Sequence, residues 1–137
     1  MSKRESNSNC LICELRGSDA VTRASDAARA FGAAQGLDDE DLARFCIVLE
    51  ELTANLYEHG GLTHRDKVGL NLAREPGAIR IVITDPGTPF DLRSAASNRQ
   101  PPERGGGVGI DIIRSWARIV DYAVTPEGNR LELVLPI

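Results

Sequence analysis

The sequence predicts an α/β two-layer sandwich, with helices on one face of a mostly antiparallel mixed sheet, on three observations. Apolar residues recur at helical spacing between positions 19 and 60, a period of two takes over in residues 68–83 and again in 119–135, and each strand pair closes on a turn bearing proline and glycine. The order is one strand, two helices, two strands, a loop with a helix, and two strands. That order gathers helices on one side of a sheet instead of interleaving them with parallel strands. The 137 residues suit a single domain, read here as residues 10–137 behind a flexible tail over 1–9.

Residues 10–15 read as a short first strand. From 19 to about 35, Val21, Ala24, Ala28 and Phe31 recur on one helical face, with Ser18 as the expected N-cap and Gly36 ending the helix; the alanines imply close packing. Asp38 caps the next helix, and Asp39, Glu40 and Asp41 occupy the turn where the helix dipole favours negative charge. Its apolar stripe is Leu42, Phe45, Leu49, Leu52 and Leu56, and Gly60-Gly61 ends it. Val68, Leu70 and Leu72 then alternate with smaller or polar residues, and Glu75-Pro76-Gly77 turns the chain into Ile79, Ile81 and Ile83, an antiparallel pair. Residues 91–107 are rich in Ser, Asn, Arg, Pro and Gly without periodicity, long for a connection and so read as a functional loop. A third helix over 108–117 and two strands around Pro126-Glu127-Gly128-Asn129 complete the chain. Clean alternation in residues 79–83 and 131–135 predicts one buried sheet face and one more polar face.

Composition narrows the function. Hydrophobic residues are 42% and charged residues 26%, ordinary globular values that favour neither disorder nor a membrane class. No apolar run is long enough for a bilayer, and the start lacks the apolar stretch of a secretory signal, so the cytoplasm is the expected compartment. A net charge of -4 argues against a dedicated nucleic-acid surface. Cys10 and Cys13 form a C-x-x-C, but a second pair is missing and neither His59 nor His64 is near in sequence. The three cysteines are read as small apolar residues.

Three stretches carry chemistry. Glu51 and Asn55, four apart, share one helix face beside the apolar stripe, so a partly desolvated carboxylate suited to proton abstraction sits near an amide oxygen suited to Mg²⁺. Asp85 ends an isoleucine-rich strand, where a carboxylate accepts a hydrogen bond from an exocyclic amine, and Gly87 leaves room for a ring against the backbone. Gly105-Gly106-Gly107-Val108-Gly109 opens a helix whose N–H groups face phosphate oxygens. Singly, each is also an ordinary helix edge, turn or hinge. Their joint order suggests a nucleotide pocket.

In that order the sequence resembles the GHKL, or Bergerat-fold, ATPases, and within them the small anti-sigma-factor serine kinases of bacterial partner-switching systems. Residues 49–60, LEELTANLYEHG, resemble the N box (E-x-x-x-N, then H-G); Asp85-Pro86-Gly87-Thr88-Pro89-Phe90-Asp91 resembles the first glycine box, with a family-specific Pro-Phe-Asp; residues 105–113 resemble the second; Asp121-Tyr122 and Gly128-Asn129-Arg130-Leu131 resemble the closing hairpin. The resemblance covers nearly the whole chain from Cys10 onward. It implies ATP and Mg²⁺ as cofactors: Asn55 as the metal ligand, Glu51 as the catalytic base, Asp85 on the adenine amine and Gly87 against the base. Gly105, Gly107, Val108 and Gly109 would wrap the phosphates, Arg104 and also Arg99 would add charge there, and residues 91–104 would form the ATP lid. It also implies a protein-serine/threonine kinase that phosphorylates a STAS-domain anti-anti-sigma antagonist, sequesters a sigma factor and forms a homodimer, with no nucleic acid or membrane partner. A non-catalytic nucleotide-binding interaction module of the same fold is the alternative. One departure stands out: family members commonly carry a threonine in the last hairpin near the adenine, and Asn129-Arg130-Leu131-Glu132 has none, with Arg130 expected to face solvent.

Overall fold

A computed structural model describes residues 4–6, 9–93 and 106–137. Along these the elements are β1 (Arg4–Ser6), β2 (Cys10–Arg16), α1 (Ala20–Ala34), α2 (Asp39–His59), β3 (Lys67–Glu75), β4 (Ala78–Asp85), α3 (Gly106–Trp116), β5 (Arg118–Thr125) and β6 (Gly128–Pro136). The strands form one sheet ordered β1-β2-β3-β4-β6-β5. Every pairing among them is antiparallel, so the parallel admixture expected of a mixed sheet is not found in the described strands. The α3 crossover does return β5 parallel to β4, but β6 inserts between them.

Two sequence expectations change. Arg4–Ser6, placed in a flexible tail, pairs with β2, Arg4 opposite Cys13 and Ser6 opposite Leu11; three polar residues offer no alternation from which to read a strand. Ser18 is not the cap of α1. Asp19 holds that position without a capping bond, its carboxylate taken by the Arg23 Nε at 3.1 Å.

The helix layer follows from small side chains. Ala20, Ala24, Ala27 and Ala28 are buried, and Gly32 lies so close to α2 that a Cβ there would meet Leu42 Cδ1 at 2.6 Å. Phe31 and Phe45 meet edge to face, centroids 6.3 Å apart at 61°. As expected, Asp38 caps α2, accepting from the Asp41 N–H at 2.8 Å, and Gly61 follows its end at φ +71.

Register turns the sheet into rows. Leu11, Leu72, Ile81 and Leu133 lie side by side across four strands and are all buried under the helices, each contributing about 1.5–3 kcal/mol. On the opposite face, in line with the predicted asymmetry, Arg80 pairs with Glu75 at 2.5 Å and with Glu132, while half-exposed Arg130 pairs with Glu132 at 3.1 Å. Arg130 thus lies away from the core. Cys10 and Cys13, three apart on β2, point to opposite faces, so the C-x-x-C cannot close on one ion.

Candidate functional site

The next row along the buried face, Ile83, Leu131 and Tyr122, is not fully covered by helix. With Leu52, Asn55 and Leu56 of α2 above and Thr88, Phe90 and Leu92 beside it, this row lines a cavity of about 380 Å³ including its open mouth. That volume lies at the lower end for small-molecule sites, and an apolar lining with a few polar groups is their usual character.

Period two carries the next residues of the same strands onto the same face. These are Asp85 of β4 and Asn129 of β6, directly opposite each other and 7% and 4% exposed. Asp85 Oδ2 accepts from the Gly87 N–H at 2.8 Å and from Asn129 Nδ2 at 3.2 Å, while the same Nδ2 donates to the Gly87 carbonyl at 2.9 Å. Asp85 faces the cavity, as the sequence predicts. At Gly87 the room left by the missing side chain is filled by protein, since a Cβ there would overlap the Gly60 carbonyl and approach Leu62 Cδ2 to 2.9 Å. Thr88 N–H also bonds that carbonyl, at 2.8 Å, pinning the turn after β4 to the end of α2.

Helix α2 supplies the other wall. Asn55 is 4% exposed, lines the cavity and donates its Nδ2 to the Glu51 carbonyl at 2.8 Å, leaving Oδ1 as the atom available to a cation. One amide oxygen fits Mg²⁺, which keeps its waters and takes its remaining ligands from phosphates. Among the described residues no group of three His, Cys, Asp or Glu forms a protein-only cage. Glu51 lies one turn earlier, half-buried, its carboxylate against the backbone of Gly109 in the first turns of α3; a methyl there would overlap it. Burial raises the Glu51 pKa, and the like charges of Glu58 and Glu50 push it the same way. Gly107 and Val108 lie in the opening turn of α3 and Gly109 is buried. Arg99, Arg104 and Gly105, with the lid beyond Arg93, fall outside the described residues.

The segment after β4, through Leu92, is held by residues to which sequence reading gave no role. The Phe90 N–H donates to the Tyr122 hydroxyl at 2.9 Å, and Arg114 of α3 donates twice to the Leu92 carbonyl, at 2.9 and 2.6 Å. Phe90 stacks on His59 at the end of α2, centroids 5.3 Å apart. Tyr122 and Asn129 lay within the recognised closing hairpin, but their partners are 32 and 44 positions away, and only the β4–β6 register brings them together.

The profile of the histidine kinase-like ATPase domain matches residues 17–135. Fold and site thus define a GHKL-type nucleotide-binding module, and the chain belongs to the histidine kinase-like ATPase domain family. No curated protein sequence matches it. Solved structures do: the histidine kinase domain of the blue-light-activated histidine kinase EL346 from Erythrobacter litoralis superposes with a TM-score of 0.54 at 16% identity, over 85% of this chain. This chain spans 59% of that one, and at such identity the likeness is one of fold. Among the described residues no helix is long and apolar enough to cross a membrane.

Proposed function

We propose that this protein binds ATP with Mg²⁺ and is an anti-sigma regulatory factor with protein-serine/threonine kinase activity. Its substrate is a serine on a STAS-domain antagonist, and its second partner is a sigma factor, held away from polymerase until the unphosphorylated antagonist displaces it. The carrying observation is convergence: Asn55 and Asp85 line one cavity, and the Glu51 carboxylate on the same wall meets the glycine-rich start of α3. The protein-kinase reading draws on the sequence likeness to the anti-sigma kinases, above all the Pro89-Phe90-Asp91 that follows the first glycine box.

In this reading Asp85 accepts from the adenine amine and the first turn of α3 directs N–H groups at the phosphates. The serine oxygen attacks the γ-phosphorus in line as the bond to the ADP oxygen breaks, and Glu51 takes the hydroxyl proton. Mg²⁺, when bound at Asn55, supplies positive charge against the phosphoryl oxygens. Burial suits Glu51 to this role, since a carboxylate raised above the ordinary range is a stronger base. A homodimer is part of the proposal, as in the family it resembles.

The test is incubation with γ-labelled ATP, Mg²⁺ and STAS-domain proteins. Acid-stable label on serine, lost in Glu51→Ala while ATP binding persists, is the expected result. Full transfer by that variant overturns the base. Nucleotide binding without transfer to any STAS protein leaves the non-catalytic module, and acid-labile label would indicate histidine as the acceptor.

A further inference from the structure

We propose that Asn129 sets the base selectivity of the pocket, as a positioning residue acting through Asp85; the inference rests on the nucleotide site described above. Its amide nitrogen has two hydrogens, and both are committed within the protein, one to Asp85 Oδ2 at 3.2 Å and one to the Gly87 carbonyl at 2.9 Å. The Gly87 N–H donates to the same Oδ2 at 2.8 Å. One carboxylate oxygen is therefore saturated from two directions, the carboxylate plane is fixed, and Oδ1 is left to face a ligand.

With the Asn129 hydrogens spent within the protein, the Asp85 carboxylate that lines the cavity presents an acceptor, and Asn129 adds no donor beside it. A base with an exocyclic amine meets that demand, whereas a base with a carbonyl at the same place sets lone pair against lone pair. The turn is held too tightly for Asn129 to drift: Gly128 sits at φ +130, and a Cβ there would overlap the Asp85 carbonyl.

The experiment is calorimetric titration of the full chain with ADP and with inosine diphosphate, which carries a carbonyl where ADP carries the amine. Wild type is expected to prefer ADP by at least about tenfold, the worth of one hydrogen bond to a charged group. Asn129→Ala is expected to narrow that preference severalfold, chiefly through weaker ADP binding. Asn129→Asp, matched in shape but without the hydrogens and with a second carboxylate beside Asp85, is expected to lose more ADP affinity still. A residue that merely held the fold together would lower both affinities alike, so an unchanged ratio in both variants overturns the proposal while leaving the nucleotide site standing. Should Asn129→Ala not fold, Asn129→Ser, which keeps one donor, carries the same comparison. Wild type that binds neither nucleotide overturns the site and the inference together.

Discussion

A partly buried glutamate with two acidic neighbours is easier to protonate than a surface glutamate, and this sets the pH behaviour of Glu51. Its folded pKa lies above the unfolded one, so the native state binds the proton more readily; the stabilisation that protonation gives is complete below the unfolded pKa and is lost as pH rises through the folded value. Glu51→Gln, which carries no charge to desolvate, is therefore expected to melt higher than wild type at neutral pH, and thermal melts in acid should show the difference vanish. Phosphoryl transfer by the same variant should fall by about 10²–10⁴-fold, the range for losing a general base, and the acid limb of the wild-type rate profile should lie above the ordinary carboxylate range. Gly109 tests the contact from the other side. The methyl of Gly109→Ala would overlap the Glu51 carboxylate, which must turn away. Transfer is expected to drop by more than nucleotide affinity, which the same methyl also weakens at the opening of α3, as separate measurements of kcat and nucleotide Kd would show.

At the scale of elements, the segment after β4 is fastened by β5 and α3, through Tyr122 on the Phe90 N–H and Arg114 on the Leu92 carbonyl. Burial keeps the Tyr122 phenol above its ordinary range, a neutral hydroxyl at working pH. Tyr122→Phe keeps the ring in the cavity and removes one acceptor, so a loss of about 1 kcal/mol in stability is expected. Hydrogen exchange at the Phe90 amide should quicken, and nucleotide should bind several times more weakly. Arg114→Met should loosen Leu92 in the same way. These fastenings show where sequence reading stopped. The two hairpins were legible because alternation and a turn are local signals, and Asp38 was legible as a cap because its three acidic neighbours mark a helix start. Arg4–Ser6 was not, since an edge strand of three polar residues has no periodicity. Glu51, Asn55 and Asp85 could be singled out as candidates because their spacing within short motifs repeats a family pattern. Asn129 and Tyr122 act across pairings that exist only once β6 has been inserted beside β4.

For the molecule as a whole, what matters is that the cavity belongs to neither layer. Leu52, Asn55 and Leu56 come from α2, Ile83, Asp85, Tyr122 and Leu131 from three strands of the sheet, and Thr88, Phe90 and Leu92 from the segment after β4. A ligand there touches both layers of the sandwich, so the free energy of binding adds to the cooperative stability of the domain instead of tightening one loop. Nucleotide at 100 times its Kd should contribute about 2.7 kcal/mol, and for a domain of this size that raises Tm by on the order of 10 °C. The metal would have its own signature, because Asn55 would offer it one amide oxygen and the remaining ligands would have to come from phosphates and water. Mg²⁺ alone should leave Tm nearly unchanged, ADP alone should raise it partway, and the two together should raise it most, with EDTA returning the curve to the ADP value. Asn55→Ala should abolish the Mg²⁺ increment and keep most of the ADP shift, if Asn55 holds the metal as proposed and Asp85 holds the base. A Tm rise with Mg²⁺ in the absence of nucleotide, or an increment that survives Asn55→Ala, would place the cation elsewhere on the protein.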